Sequence, residues 1–445
     1  MTIHVNAPAS KSCSHRACIA AALANGESRL TGVLRSDDLV ATRRCLQAGG
    51  VGISEEEDGS LRVTGRPGGL VGGPSENEPV LLDVGESGTT ARLMAGVAAA
   101  GQGTFEMRGA GRMHQRPMAG GAEPLHRLGC DFVWLENTGY PPFIIVTKGL
   151  SGGTVGVSLE ESSQYLSGVL LAAPLASRGL VVIVTGKKVV SWPYVALTLQ
   201  VLEDFGVDFE VQRKDDEGMW RAVPWREVER AEPRRTRFCM VPMSYAPRDY
   251  AVEGDWSNAS YFLAAGAVGP AVTVSGLRRD SVQGDRAILD ILRRMGAEAA
   301  WEGEDVTVSP GPDGLRGADL DMGHCPDLVP TVSALACFAK GPTTISNVAH
   351  LRIKESDRLE ACAENIRRMG CGAEVLEDGL RVTPAAMPAS GEVDLATFDD
   401  HRLAMSASLF ELAGVGVRLD NPGCTAKSFP GFFEEWAKVR SGREP

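Results

Sequence analysis

The sequence has no C-x-x-C pair, no long uninterrupted apolar segment and no excess of basic residues. Its 10 cysteines are spread from Cys13 to Cys424, a pattern that fits neither a zinc framework nor a disulfide scaffold, so we expect reduced thiols. The longest apolar stretch, VLLAAPLASRGLVVIV, contains Pro174 and Arg178 and predicts helix, turn and strand instead of a membrane span. The formal net charge of −12 argues against a protein that binds nucleic acid or a membrane surface.

The motifs of common cofactor and nucleophile chemistries are also missing. The sequence contains no P-loop, no dinucleotide-binding glycine pattern, no G-x-S-x-G and no H-E-x-x-H, and His114 and His126 lack metal-ligand spacing. We therefore expect no metal, no cofactor and no covalent nucleophile. The first residues, MTIHVNAPAS, lack the basic and apolar regions of a signal peptide, so we expect a cytoplasmic protein.

An internal repeat organises the 445 residues. A polar helix start, a helix of small residues, a glycine-type turn and a β-branched strand recur roughly 70–95 residues apart. A second helix, which ends at a glycine and precedes a strand pair, alternates with the first in five copies, such as CLQAGGVGISEEEDGSLRVTG and IRRMGCGAEVLEDGLRVTP. The stretches EEEDGS and LEDGL in these copies predict hairpin turns. Each repeat therefore predicts a βαβαββ unit, and six units would fill the chain as an α/β (α+β) fold.

The length favours two domains, with three units in each. The expected boundary lies around Val252 to Asp255, after an irregular, charged insert at residues 211–248, and the segment near Pro8 is a second candidate crossing. We predict one domain at residues 10–252 and a second made of residues 1–9 and 253–445.

The helix starts share polar and basic side chains, although the protein is acidic. The polar first turns are Ser12 and Ser14, Ser87 and Thr89, Ser162 and Ser163, Ser257 and Asn258, Asp327, and Asp400 with His401. The basic residues in or near these starts are Lys11, Arg16, Arg92, Arg116, Lys354, Arg358, Arg402 and Lys427. Because helix N-termini attract anions, the pattern favours a cleft for a small polyanion. Asp327 and Glu355 are either counter-ions in this cleft or its proton-transfer groups.

Eight segments, in order along nearly the whole chain, carry a family resemblance. They are PASKSCSHRA, SGTTARL, RMHQRPM, ESSQYLSGVLLAAPLA, VEGDWSNASYFLAA, LRIKESDRL, DDHRLAM and CTAKSFP. Together they resemble the 5-enolpyruvylshikimate-3-phosphate synthase family of aromatic amino-acid biosynthesis. The resemblance implies an inside-out α/β barrel of the enolpyruvyl transferase type in each domain, with the active site in the cleft between them. It also implies transfer of the enolpyruvyl group of phosphoenolpyruvate to the 5-hydroxyl of shikimate 3-phosphate, with phosphate released and no metal or cofactor.

The resemblance also implies residue roles. The first domain would hold most of the shikimate 3-phosphate contacts, and the second would carry the catalytic carboxylates. The implied shikimate 3-phosphate contacts are Lys11, Ser12, Arg16, Ser162, Ser163, Ser191, Tyr194, Asp327, His350 and Lys354. The implied phosphoenolpyruvate contacts are Lys11, Gly88, Arg116, Gln164, Arg358, Arg402 and Lys427. Asp327 would take the 5-hydroxyl proton, Glu355 would protonate the methylene carbon, and Lys11 and Lys427 would support the developing charge. A monomer inhibited by glyphosate is expected.

Four residues depart from the family pattern. Ala9 stands in place of a glycine, and His15, Glu86 and His350 in place of asparagine, but none of these changes removes a charge that the reaction needs. Two other interpretations stay open: an enolpyruvyl transferase that acts on UDP-N-acetylglucosamine, and a non-catalytic phosphometabolite-binding protein on the same fold.

Overall fold

The structure is a computed structural model that describes residues 2–442. It contains two compact units. One, which we call the continuous unit, is Lys11–Val252, and the other, the split unit, combines Met1–Ser10 with Glu253–Pro445. The chain therefore passes between the units twice, directly after Ser10 and directly after Val252.

The split unit supplies the first strand of the chain, β1 (Ile3–Asn6), and the continuous unit supplies the elements that follow. These are α1 (Lys11–Leu23), β2 (Glu27–Thr31), α2 (Asp37–Ala48), β3 (Gly52–Glu55), β4 (Leu61–Thr64), β5 (Val80–Gly85), α3 (Gly88–Ala99), β6 (Gly103–Gly109), α4 (Ala119–Arg127), β7 (Asp131–Trp134), β8 (Phe143–Thr147), β9 (Gly153–Ser158), α5 (Gln164–Ala172), β10 (Leu180–Thr185), α6 (Trp192–Asp204), β11 (Phe209–Lys214), β12 (Trp220–Val223), β13 (Thr236–Met240) and β14 (Asp249–Ala251).

Three sheets build the continuous unit, in the strand orders β14-β2-β4-β3, β5-β6-β8-β7 and β12-β11-β13-β10-β9. Each sheet joins one parallel pair to an antiparallel hairpin, as a βαβαββ unit requires. The strands alternate buried and exposed residues: Leu61 and Val63 of β4 are buried, whereas Arg62 and Thr64 are exposed. One face of each sheet therefore packs inward and the other faces solvent.

The helices form the interior of the continuous unit. Every residue of α1 from Cys13 to Leu23 is buried, and small residues such as alanine dominate the helix. Gly96 of α3 faces Gly168 of α5 so closely that a Cβ on either glycine would overlap backbone of the other helix. Small residues thus let α3 and α5 pack at backbone distance, and this contact fixes the relative positions of the two helix starts.

The split unit repeats this plan in its first two sheets. Its further elements are α7 (Trp256–Val268), β15 (Val272–Ser275), α8 (Ile288–Arg294), β16 (Glu298–Glu302), β17 (Asp305–Ser309), β18 (Asp319–Asp321), α9 (Val329–Ala336), β19 (Thr343–Ser346), α10 (Arg358–Arg368), β20 (Gly372–Val375), β21 (Leu380–Thr383), β22 (Glu392–Leu395), α11 (His401–Ala407), β23 (Gly416–Leu419) and α12 (Phe432–Ser441). The strand orders are β1-β15-β17-β16, β18-β19-β21-β20 and β22-β23.

The predicted α/β class with repeated βαβαββ units is confirmed, and the last repeat differs in one respect. Within residues 2–442 it has the parallel pair β22 and β23 and the helix α12, with no hairpin after them. The turns predicted at EEEDGS and LEDGL do connect antiparallel strands, β3 to β4 and β20 to β21. The glycines that end the second helices adopt positive φ, as at Gly296 and Gly370.

In each unit, one sheet contains a strand that is distant in sequence from its pairing partner. β1, at the start of the chain, pairs in parallel with β15 of the split unit, while β14, near residue 250, pairs in parallel with β2 of the continuous unit. Each unit is therefore completed by a segment distant in sequence, which explains why the chain crosses twice. The division at residues 10 and 252 places the short N-terminal segment with the second half of the chain.

The charged insert is more regular than the sequence suggested. Expected to be irregular, it forms the hairpin of β11 and β12 and then β13. Lys214 and Arg237 both lie over the ring of Trp220, with the Arg237 guanidinium carbon 4.3 Å from the ring centroid. These cation–π contacts join side chains of three adjacent strands, β11, β12 and β13.

All ten cysteines are free thiols, most of them buried. No helix within residues 2–442 is long and apolar enough to cross a membrane.

Candidate active site

The predicted site residues fall into two groups, one in each unit. The continuous unit carries Lys11, Ser12, Arg16, Gly88, Arg116, Ser162, Ser163, Gln164, Ser191 and Tyr194. The split unit carries Asp327, His350, Lys354, Glu355, Arg358, Arg402 and Lys427. We describe the two groups separately, as an anion group and a carboxylate group.

The anion group begins at α1, whose first turns contain two cations. Lys11 is the first residue of the helix, and its Nζ lies 3.4 Å from Oδ2 of the buried Asp38. Arg16 is fully buried farther along the helix and donates hydrogen bonds to the carbonyl oxygens of Ser12 and Tyr194, both at 2.9 Å. The first six residues of α1 therefore carry two positive charges.

Arg16 has no carboxylate partner among residues 2–442. Its other hydrogen bonds go to neutral hydroxyls, at 2.8 Å to Thr198 and 3.2 Å to Ser167. Burial lowers the pKa of the guanidinium to about 10, because the charged form has lost its hydration. A buried cation without a counter-ion is costly, and an anionic ligand would supply the missing charge.

Hydroxyl groups link α1, the middle of α2 and the start of α3. Nδ1 of His15 lies 2.7 Å from Oγ1 of Thr42, which lies 2.8 Å from Oγ1 of Thr90. Thr90 in turn bonds the side chain of Ser87, the N-cap of α3. Burial, with the nearby charges of Lys11 and Arg16, holds the pKa of His15 well below its usual value, so this histidine is neutral.

The start of α5 joins the start of α3 through Gln164. Its Nε2 donates to Oγ1 of Thr89 at 2.9 Å, and its Oε1 accepts from Arg92 at 3.3 Å. The backbone N–H of Gln164 donates to the hydroxyl of Ser162. In the sequence, Arg92 is only a basic residue near a helix start, with no implied role. The structure places it in contact with Gln164, a residue assigned to the site.

Arg116 lies against the first residue of α3. A Cβ built on Gly88 would overlap the guanidinium carbon of Arg116, so the arginine occupies the space that any side chain at position 88 would need. Arg116 itself is buried and follows a 3-10 turn at Gly111–Gln115. Glycine at position 88 is therefore a requirement for this placement of the cation.

Ser191, the N-cap of α6, has a left-handed backbone with φ 55° and ψ 40°. This conformation is unfavourable for serine and typically persists at functional positions. Tyr194 lies in the first turn of the same helix, and its carbonyl oxygen anchors Arg16. The strained turn thus connects one assigned serine to the buried arginine.

The carboxylate group is organised around Asp327, in the 3-10 turn Pro326–Leu328 that precedes α9. Its Oδ1 accepts from Nη1 of Arg358 at 2.9 Å, and its Oδ2 accepts from Nη2 of Arg402 at 2.7 Å. Two guanidinium groups from different helix starts therefore hold the two oxygens of one carboxylate.

Glu355 shares one of these cations. Its Oε2 accepts from Nη2 of Arg358 at 3.0 Å, while its Oε1 lies 3.7 Å from Nζ of Lys427. Burial opposes the charge of Arg358, but the carboxylates of Asp400, Glu355 and Asp327 outweigh it and raise the pKa of the guanidinium. Arg358 is thus a permanent cation that joins the two carboxylates expected to transfer protons.

Asp400, which the sequence indicated only as a polar residue at a helix start, bonds more of this group than any assigned role suggested. Asp400, fully buried at the N-cap of α11, accepts two hydrogen bonds from Arg358, at 2.7 and 3.3 Å, and one from Ser356. It also caps the backbone N–H of Arg402 at 3.0 Å. An aspartate before a helix signals only a cap, so no sequence pattern indicated that it would anchor two arginines.

Another carboxyl of this unit, which the sequence did not indicate, is Asp285, buried in the 3-10 turn Gly284–Ala287. Its Oδ2 accepts the hydroxyl of Ser257 in the first turn of α7, and its Oδ1 has no hydrogen-bond partner among residues 2–442. Burial first, and then the negative charge of Asp327, raise the pKa of Asp285 to about 7. This carboxyl therefore titrates near neutral pH beside the assigned base.

Two remaining assigned residues lie near Glu355 in the chain. His350 is buried in the 3-10 helix Ala349–Ile353, and Lys354 follows that helix directly.

Within residues 2–442, no group of histidine, cysteine, aspartate and glutamate is arranged to hold a metal ion.

The fold defines the class of the protein. An enolpyruvyl transferase of known structure, NikO from Streptomyces tendae, covers 99% of this chain with 94% of its own, at a TM-score of 0.71 and 18% identity. An EPSP synthase structure from Acinetobacter baumannii covers 98% of this chain with 95% of its own, at a TM-score of 0.76 and 25% identity. The chain thus has the enolpyruvyl transferase fold.

Sequence comparison is more specific. The model of the family EPSP synthase (3-phosphoshikimate 1-carboxyvinyltransferase) matches residues 1–436. Proteins named 3-phosphoshikimate 1-carboxyvinyltransferase from Aeromonas salmonicida and Sulfurovum sp. are 38% and 39% identical over 436 and 442 residues, which is 98% of this chain and 96% of each relative. The chain belongs to the EPSP synthase family, and the resemblance found in the sequence is confirmed.

Proposed function

We propose that this protein is a 3-phosphoshikimate 1-carboxyvinyltransferase of the shikimate pathway, which leads to chorismate and the aromatic amino acids. It transfers the enolpyruvyl group of phosphoenolpyruvate to the 5-hydroxyl of shikimate 3-phosphate and releases phosphate. The observation that carries the proposal is the pair Asp327 and Glu355, held by the single guanidinium of Arg358. A reaction that removes one proton and adds another can use two such carboxylates, one as base and one as acid, when they are near each other and in fixed positions.

The anion group supports binding of shikimate 3-phosphate. The substrate brings a carboxylate and a phosphate, and Arg16 is a buried cation that lacks a counter-ion among residues 2–442. The positive charge of Arg16 would be offset by the substrate carboxylate, so we assign the carboxylate to Arg16. We assign the phosphate to Ser162, Ser163, Ser191 and Lys354, and further contacts to Lys11, Ser12, Tyr194, Asp327 and His350.

Phosphoenolpyruvate is a second small anion with a phosphate and a carboxylate, and it needs a second set of cations. We assign it to Lys11, Gly88, Arg116, Gln164, Arg358, Arg402 and Lys427. In the split unit these cations already contact Asp327 and Glu355, so a bound anion would lie beside the carboxylates that move the protons.

The proposed chemistry has two stages in which every proton has a donor and an acceptor. In the addition, Asp327 takes the 5-hydroxyl proton as the oxygen attacks C2 of phosphoenolpyruvate, and Glu355 protonates the C3 methylene to give a methyl group. In the elimination, Glu355 removes a methyl proton, the C2–O bond to phosphate breaks, and Asp327 returns its proton to the leaving phosphate. Lys11 and Lys427 offset the charge that develops.

The assigned residues come from both units, so we propose that the units close over the substrates. We further propose that glyphosate, which has a phosphonate and a carboxylate, competes for the phosphoenolpyruvate cations. A cytoplasmic monomer is the expected form of the protein, and the reaction as written uses no metal or cofactor.

The test is substrate selection with the purified protein. Phosphate release is measured with phosphoenolpyruvate and either shikimate 3-phosphate or UDP-N-acetylglucosamine, and titration calorimetry measures shikimate 3-phosphate binding. We expect binding and phosphate release with shikimate 3-phosphate only. Release with the nucleotide sugar alone would assign the other transferase reaction, and binding without release would indicate a non-catalytic protein.

A further inference from the structure

Two segments carry the chain between the units, and within the split unit they are bonded to each other. The N–H of Ser10, the last residue before the first crossing, donates to the carbonyl oxygen of Glu253, the first residue after the second crossing, at 2.7 Å. Asp255 N–H donates to the carbonyl oxygen of Pro8 at 2.8 Å. Since the chain crosses only at these two places, any movement of one unit relative to the other passes through this pair of segments.

One buried side chain bonds both crossing segments. Oε1 of Gln283 accepts the hydroxyl of Ser10 at 3.3 Å and the backbone N–H of Trp256 at 3.2 Å. Its Nε2 donates to the carbonyl oxygen of Gly254 at 2.8 Å. The amide therefore holds the end of the first crossing and the start of the second. We call Gln283, Ser10, Glu253, Gly254 and Trp256 the crossing clamp.

The clamp sits in tightly packed surroundings that fix the amide. The backbone N–H of Gln283 donates to the hydroxyl of Ser281, which is also buried. A Cβ on Gly254 would overlap the carbonyl oxygen of Gly276, so the second crossing segment lies at backbone distance from the residues after β15. A buried amide that bonds backbone in such a place is specific in geometry, and losing it leaves backbone groups unsatisfied.

The clamp adjoins assigned residues at both ends. Lys11 follows Ser10 directly in the chain. In the other direction, Asp285 lies two residues after Gln283, bonds Ser257 in the first turn of α7, and is affected by the charge of Asp327. The segment Gln283–Asp285 thus bonds both crossing segments and the first turn of α7.

We propose that Gln283 is a positioning residue that joins the two crossing segments into one hinge for unit closure. This inference rests on the proposed function, because closure matters only if substrates require residues of both units. Gln283 is not among the residues assigned to either substrate. It acts by making the two segments move as one element, so that closure repeatedly brings the same groups together.

The test compares Gln283→Met, which keeps the length of the side chain but removes the amide, with Gln283→Glu, which keeps the acceptor oxygen. The matched control is Asn365→Leu, because the buried Asn365 amide also bridges backbone in the split unit, through Ala396 at 2.8 and 3.0 Å, away from the crossings. Hydrogen exchange of peptides covering residues 5–12 and 252–258 is measured without ligand, together with melting temperature, kcat and KM.

In Gln283→Met we expect exchange at both crossing segments to accelerate about tenfold or more, and kcat/KM for phosphoenolpyruvate to fall by about tenfold. For Gln283→Glu, the exchange rates of both segments and kcat/KM should lie between the values of Gln283→Met and of the wild type. Asn365→Leu should lose comparable stability while its crossing segments exchange at the wild-type rate. If Gln283→Met does not fold, the glutamate variant supplies the same comparison.

Unchanged exchange at the two segments would overturn the clamp. Faster exchange with wild-type kcat and KM would show that the clamp has no part in the reaction, which also overturns the proposal. Failure of the proposed function is distinguishable, because the wild-type protein would then lack transferase activity whatever the exchange results are.

Discussion

The guanidinium of Arg116 occupies the space in which a Cβ on Gly88 would lie. We therefore expect the methyl group of Gly88→Ala to displace the Arg116 side chain even in the absence of a ligand. The KM for phosphoenolpyruvate should rise, because a cation of its site moves, and glyphosate inhibition should weaken further, because this inhibitor is longer than the substrate.

Inhibition kinetics at several phosphoenolpyruvate concentrations measure both effects. The control is Gly68→Ala, since a Cβ on Gly68 meets no atom within 4 Å. If glyphosate competes with phosphoenolpyruvate equally well in the wild type and in Gly88→Ala, this glycine does not position the site.

The second prediction concerns the assigned base. Asp327→Asn keeps the shape of the side chain but cannot accept the 5-hydroxyl proton, so kcat should fall by about 10²–10⁴-fold. Circular dichroism should show an unchanged fold. Asp319→Asn, an exposed aspartate on the strand that precedes the site, serves as the control and should retain activity. Turnover in Asp327→Asn close to the wild-type value would exclude Asp327 as the base.

The third prediction separates binding from folding at Arg16. This cation is buried and its pKa is lowered to about 10, so its charge is poorly compensated without ligand. Arg16→Met removes hydrogen bonds but also removes the buried charge, and the two effects oppose each other. We expect a melting temperature within a few degrees of the wild type and loss of shikimate 3-phosphate binding by calorimetry. Near-normal affinity in this variant would contradict the assignment of the substrate carboxylate to Arg16.

The fourth prediction follows from Asp285. Its pKa is raised to about 7 in the folded protein, because burial and Asp327 disfavour the charged form. The folded state therefore holds this proton more tightly than the unfolded state. The resulting stability is complete below the unfolded pKa of about 4 and is lost as pH rises towards 7. Each pH unit between the unfolded and the folded pKa corresponds to about 1.4 kcal/mol.

Asp285→Asn cannot ionise and should lack this loss. The difference in melting temperature between Asp285→Asn and the wild type should therefore grow in favour of the variant from about pH 4 to pH 7 and stay constant above that range. A difference that stays constant with pH would show that the pKa of Asp285 is not raised in the folded protein.

The repeat made much of the fold predictable. Small-residue helices, glycine stops and strand pairs are local signals, so the sequence revealed five copies of the second helix and the turns at EEEDGS and LEDGL. The final helix, Phe432–Ser441, is not followed by a strand pair within residues 2–442, so the repeat pattern did not predict it. The regular structure of the insert was not predictable, because the stacking of Arg237 on Trp220 joins residues on different strands and leaves no local signal in the sequence.

For the site, charges at helix starts were visible in the sequence, but the contacts among them were not. Asp400 looked like a cap, and only the fold brings Arg358 from another helix to it. Asp285 carries no local signal at all, because its burial and the influence of Asp327 depend on segments distant in sequence that pack together. Roles carried over from the family remain predictions for each assigned residue.

The central claim is that this protein joins phosphoenolpyruvate to shikimate 3-phosphate. Phosphorus NMR of a single reaction mixture tests it most directly, since both substrates and both products contain phosphorus. We predict that the phosphoenolpyruvate and shikimate 3-phosphate signals decline together, while inorganic phosphate and a new phosphate-monoester signal rise in equal amounts. Substrate signals that persist with saturating enzyme, or phosphate that forms without loss of shikimate 3-phosphate, would contradict the claim.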